Sequence, residues 1–165
     1  MKCDLVFTKS NKSILSRIIN TLTEGNISHV AILINDQNSK IIEATSKGIV
    51  INDFDKKDKI IVRIKDLTDE QKNNILMSAS YQVTKKTRYD FGLFFTIMLN
   101  RWFGIIPKDD YKKFICSEFI LNIFIKNGIN LLSNTKYSNK DNVTPYELYC
   151  GLVNSGDIEF MEVLS

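Results

Sequence analysis

The chain carries a single histidine, His29, and three cysteines, Cys3, Cys116 and Cys150. Any reaction that pairs a thiol or hydroxyl with an imidazole base therefore has one candidate base. Among the thiols, Cys116 stands where chemistry would favour it. It lies at the start of FICSEFILNIFIKNG, Phe114 to Gly128, in which Phe119, Ile120, Ile123 and Phe124 recur at helical spacing. Free N–H groups and the positive end of the dipole at a helix start favour a thiolate over a thiol. Burial alone also accounts for a cysteine there, since free Cys is among the most often buried residue types.

His29 opens the apolar strand SHVAILI, Ser28 to Ile34, and a polar turn, Asn35 to Ser39, leads back into KIIEAT. If this hairpin pairs residues whose numbers sum to an even value, His29, Ala31, Leu33, Ile41 and Glu43 share one face. Glu43 is then opposite or diagonal to His29, within side-chain reach. A slip of one residue would send the two to opposite faces. A carboxylate beside an imidazole orients the ring and stabilises its protonated form, as a base taking a thiol proton requires. Taken alone, a strand histidine bonded to a neighbouring acid fits a packing role better than a catalytic one. With Cys116 added, the set is the layout of a cysteine hydrolase. Tyr89, in the TRYDF join between two helices, adds a phenol that could reach a developing oxyanion, although residue type alone also fits an ordinary half-buried Tyr.

The elements that must position these groups are readable in order. DLVFT, Asp4 to Thr8, is a first strand, and Ser13 caps a helix whose stripe of Ile14, Leu15, Ile18, Ile19 and Leu22 ends near Gly25. Strands follow at Ser28 to Ile34, at KIIEAT, at Gly48 with IVI, and, after a charged loop from Asp53 to Lys59, at KIIVRI. Thr68 with Gln71 forms a capping box for a helix to about Val83. Arg88 to Pro107 is the most apolar and aromatic segment. Asn100 and Arg101 interrupt it too early for a span of about 20 apolar residues, which favours a buried core helix. The other reading of Phe91 to Ile106 is a partly exposed element that meets a lipid or an acyl chain. Beyond the cysteine helix, Leu131 to Asn142 is a polar loop. Thr144-Pro145-x-Glu147 starts a helix to about Asn154, and IEFMEV is a closing strand. This order argues an α+β fold in one domain spanning residues 1–165.

Composition excludes several classes. With 22 basic against 19 acidic residues the formal charge is +3, too slight and too scattered for a nucleic-acid surface. An odd, widely spaced set of cysteines without C-x-x-C argues against a disulfide framework or a zinc cluster and for a reducing compartment. The N-terminus, MKCDLVFTKSNKS, has no apolar h-region, and no transmembrane segment is read, so the default expectation is a cytoplasmic protein. There is no Gly-rich phosphate loop, no H-E-x-x-H and no G-x-S-x-G, so no cofactor or metal is expected.

The opening DLVF strand, the helical segment from Ser13 to Thr23, S-H-V-A-I at Ser28 to Ile32, Glu43 on the next strand, Y-D-F at Tyr89 to Phe91, I-C-S-E-F at Ile115 to Phe119 and T-P-Y-E-L at Thr144 to Leu148 stand in a shared order. In that order, with His before Cys, the chain resembles the circularly permuted branch of the NlpC-type papain-like superfamily, the YiiX/YaeF-like permuted papain-like amidases. Lecithin:retinol acyltransferase-like enzymes and a poxvirus protein group are similar in layout. The resemblance implies a small antiparallel sheet or half-barrel packed against helices, with the catalytic Cys at a helix N-terminus. It implies Cys116 as nucleophile, His29 as base, Glu43 as the residue orienting His29, and Tyr89 at the oxyanion site. Cys3 is a departure, since such families often have Gly before the Asp.

The function expected is a cysteine amidase or peptidase acting through a thioester on a small amide, a peptide or a lipid-derived amide. A lipid-directed acyltransferase or thioesterase, motivated by Phe91 to Ile106, is the second expectation. A non-enzymatic binding module on the same fold is the third.

Overall fold

A computed structural model describes residues 3–9, 27–35, 39–45, 48–85, 116–138 and 143–164. Within them the chain forms strands β1 (Leu5–Lys9), β2 (Ile27–Asn35), β3 (Lys40–Thr45), β4 (Gly48–Asp53), β5 (Lys59–Ile64) and β6 (Ile158–Leu164). Three helices accompany them: α1 (Asp69–Thr84), α2 (Cys116–Lys126) and α3 (Pro145–Ser155). The helix expected from Ser13, Tyr89 and the apolar stretch from Phe91 to Ile106 lie outside the described residues. Among the described residues the fold is α+β, a six-stranded antiparallel open sheet with three helices.

The strand order is β4-β3-β2-β1-β5-β6, so β1 sits inside the sheet between β2 and β5. The β-branched runs of β1, β2, β3 and β5 explain this central position, because residues on both faces are buried. Leu5, Phe7, Val30, Ile32, Ile42 and Val62 face a core shared with the helices. Val6, Ala31, Leu33, Ile41 and Ile61 alternate with them and gather on Phe54 instead. The outermost strand, β6, is mostly exposed, with Phe160, Met161 and Val163 open to solvent.

α2 lies over β2 and β3, with α1 beside it toward β4 and α3 over β2, reaching β6. Its apolar spacing turns Phe119, Ile120, Ile123 and Phe124 inward, all nearly or fully buried. Gly128, at φ 77°, ends the helix in the left-handed conformation that costs glycine little. Asn127 donates from Nδ2 to the Ile123 carbonyl at 2.8 Å and to Ser78 Oγ at 3.3 Å, joining the end of α2 to α1. α1 begins with the capping box read from Thr68 and Gln71. The equivalent box at Thr144 and Glu147 starts α3, with Pro145 in its first turn.

One expectation needs correction. The segment after α2 reads as a polar loop, yet Leu131 and Leu132 are buried in the core. The side chains of Asn130 and Thr135 satisfy tight turns while the two leucines dock. The docking is close: a Cβ on Gly151 of α3 would stand 2.5 Å from Leu132 Cδ2. Gly151 is therefore the residue that lets this loop approach the helix. Among the described residues, no helix is long and apolar enough to cross a membrane.

Candidate active site

The β2–β3 hairpin takes the even register: Ala31 pairs with Glu43, Ile32 with Ile42 and Leu33 with Ile41. Glu43 thus lies one diagonal step from His29, and the side chains meet, His29 Nε2 standing 2.7 Å from Glu43 Oε2. Both are partly withdrawn from water, with side chains 27% and 16% exposed. A hydrogen bond at that length, across partly dehydrated groups, is charge-assisted when the ring is protonated.

Glu43 has a second donor. Asn52 of β4 gives a hydrogen bond from Nδ2 to Glu43 Oε1 at 2.7 Å, so each carboxylate oxygen has its own partner. The β3–β4 pairing explains the position: Val50 is directly opposite Glu43, and Asn52 lies diagonal to it. Thr8 is paired with His29 on the other side, and Lys59 with Thr8 in turn. Lys59, Thr8, His29, Glu43 and Asn52 thus belong to one polar row across five strands.

Cys116, the first residue of α2, is buried, and it interacts electrostatically with the His29 side chain. With Nε2 engaged by Glu43, the ring nitrogen left to face sulfur is Nδ1. The ring is therefore held between an acid and a thiol. Burial alone would lower its pKa, but the charge and hydrogen bond of Cys116, and then those of Glu43, outweigh this and raise it from 6.5 to about 10. Glu43 moves the other way. Burial raises its pKa, yet the bonds from His29 and Asn52, with the charges of His29 and Lys59, leave it below the ordinary 4.5.

The rest of α2's first turn is anchored. Ser117, fully buried, donates its hydroxyl to the Val143 carbonyl just ahead of the Thr144 cap. The start of the cysteine helix is thereby tied to the start of α3. An edge-to-face contact of Phe7 with Tyr149, ring centroids 5.4 Å apart, fixes α3 to β1.

Three of the four residues read from sequence, Cys116, His29 and Glu43, are brought together, and Tyr89 lies outside the described residues. Sequence reading missed Asn52. It treated β4 as ending after IVI, although the two-residue connection from Thr45 to Gly48 already sets the register that carries Asn52 to Glu43.

Comparison with known proteins gives the family and the fold. Residues 1–156 match the family described as permuted papain-like amidase enzyme, YaeF/YiiX, C92. No curated protein matches. Among solved structures, one described as metalloprotein yiiX from Escherichia coli O157:H7 (DUF1105) superposes with a TM-score of 0.64 at 14% identity. The match covers 99% of this chain and 97% of that one, and at such identity it speaks for the fold. Among the described residues of the present chain, no group of three or more His, Cys, Asp or Glu is arranged to hold a metal ion.

Proposed function

Because the chain belongs to the permuted papain-like amidase family, an enzyme family, we propose that it hydrolyses an amide through a thioester on Cys116, with His29 as its proton carrier. The observation that carries this reading is one imidazole held between the Cys116 sulfur and the Glu43 carboxylate. His29 holds the proton released by Cys116. The sulfur attacks the carbonyl carbon, and the resulting tetrahedral intermediate collapses with cleavage of the C–N bond. His29 gives its proton to the departing amine and then takes one from water, which attacks the thioester and releases the acid as the C–S bond breaks. A ring whose pKa is raised to about 10 is protonated at neutral pH, the state a leaving amine needs. Glu43 stays ionised throughout and orients the ring. Tyr89 is proposed as an oxyanion donor on the family resemblance. The substrate class proposed is a small amide, a peptide or a lipid-derived amide.

The test is the rate of Cys116 alkylation by iodoacetamide against pH, in wild type, His29→Ala and Glu43→Gln, with Cys3 and Cys150 as internal references. Fast reaction of Cys116 at pH 6 that disappears without His29 supports the pair. Equal behaviour of all three thiols removes the enzyme reading and leaves a binding module.

The apolar sequence from Phe91 to Ile106 favours a second reading, in which the acyl group comes from a lipid and passes to an acceptor other than water. Incubation with phospholipid vesicles or an acyl-thioester, followed by mass spectrometry, then shows an acyl adduct on Cys116. An unmodified Cys116 counts against this version alone.

A further inference from the structure

The catalytic reading uses Glu43 to orient His29, but a glutamate side chain has three rotatable bonds and cannot by itself hold one oxygen on a ring nitrogen. The structure gives Glu43 a second fixed point. Asn52 Nδ2 lies 2.7 Å from Oε1, while Oε2 meets His29 at 2.7 Å. Asn52 is held by the ladder, since β4 pairs residue for residue with β3 from Thr45 and Gly48 to Lys40 and Asp53. The next residue, Asp53, is bound to Lys40 at 2.5 Å, which fastens the same end of the hairpin from its other side.

We propose that Asn52 is a positioning residue of the active site, a clamp that sets the Glu43 carboxylate so that His29 presents its other ring nitrogen to Cys116. This rests on the proposed roles of Cys116, His29 and Glu43. An amide suits the task chemically. It donates to a carboxylate without adding charge, whereas a lysine would compete with His29 for Glu43 and an acid would repel it. The charged groups acting on Glu43 are His29 from β2 and Lys59 from β5, and on His29 they are Cys116 from α2 and Glu43 from β3. Asn52 is the neutral member of the set.

Because His29 is the only histidine, its imidazole resonance can be followed by NMR without assignment ambiguity. Removing the clamp in Asn52→Ala should lower the His29 titration midpoint by about half a pH unit or more, as Glu43 loses its fix. The Cys116 alkylation rate at neutral pH should fall roughly tenfold, the loss of one hydrogen bond to a charged group. Asn52→Asp, nearly isosteric, should be worse than Ala near neutrality and recover part of the loss on acidification, as the added carboxylate takes up a proton. Asn52→Gln, which keeps the donor, should restore part of both readouts. An unchanged His29 midpoint in both Ala and Asp variants, with unchanged circular dichroism, overturns the proposal. The midpoint is read without any turnover, so it judges the clamp even if Cys116 proves unreactive. Failure of the catalytic reading would instead appear in wild-type protein, as Cys116 alkylation independent of His29.

Discussion

Two buried cysteines sit near the sheet in opposite electrical settings. Cys116 begins a helix and touches an imidazole that is itself backed by Glu43. Cys3 precedes β1, next to Asp4, and its thiol is pushed up to about 12 by burial first and the Asp4 charge second, with Lys72 opposing weakly. The acids beside them differ in the same sense. Glu43 is shared between an amide and a titratable ring. Asp4 is gripped at 2.9 Å by both Nε and Nη2 of Arg63, whose guanidinium lies over Phe160. A bidentate pair with a permanently charged partner fastens the residue just ahead of β1 to β5. Burial makes a cysteine inert. In the proposed mechanism a cation at its sulfur makes the other a nucleophile.

The sharpest way to break this contrast is to remove each sulfur. Cys116→Ala should lower amide turnover by about a thousandfold or more, and Cys3→Ala should change it by less than about twofold. A comparable loss from both variants would mean that the helix start confers nothing. Next in size is Arg63→Met, which strands the buried Asp4 carboxylate and should cost about 3–5 kcal/mol in urea unfolding. Cys116 should keep its alkylation profile in that variant. Glu43→Gln should reduce Cys116 reactivity at neutral pH by roughly ten- to a hundredfold, the range of an oriented acid–base partner, with little change in the unfolding midpoint.

Two smaller effects sharpen the picture. His29 has a folded pKa near 10 against 6.5 unfolded, so its contribution to stability is complete below pH 6.5 and fades as pH rises toward 10. Cys3 continues the trend, because its contribution is complete below 9.0 and is lost as pH approaches 12. Melting temperature against pH should fall across both windows, with the first decline flattened in His29→Ala and the second in Cys3→Ala. Smallest is Thr144→Ala, which removes the cap of α3 at about 0.5–2 kcal/mol in the same urea assay.

Much of this was legible in the sequence, where local rules applied. The strand pattern asks for the even register in which His29 and Glu43 meet, and the buried Leu33 and Ile41 enforce it. The pair next to the turn, Asn35 with Lys40, is odd, and a register shift between Leu33 and Asn35 restores the parity. Both capping boxes were written in four residues each. The strand order was not legible. Nothing near KIIVRI says that it crosses to the far side of β1, or that β6 then pairs with it at the edge. Those pairings come from the shared core. Leu131 and Leu132 were hidden for a related reason, since their polar neighbours satisfy turns while Gly151, far along the chain, makes the room.

The permuted order of the site, His29 and Glu43 ahead of Cys116, also bears on its synthesis. The hairpin that carries His29 and Glu43 is a local structure whose residues are all synthesised before Cys116. The helix that bears Cys116 packs on β2 and β3 from a later part of the chain, and its anchor at Val143 comes from residues later still. Under the proposed roles the site therefore needs contributions from both halves of the chain, and a product ending before Cys116 carries the base and its acid but not the thiol they serve.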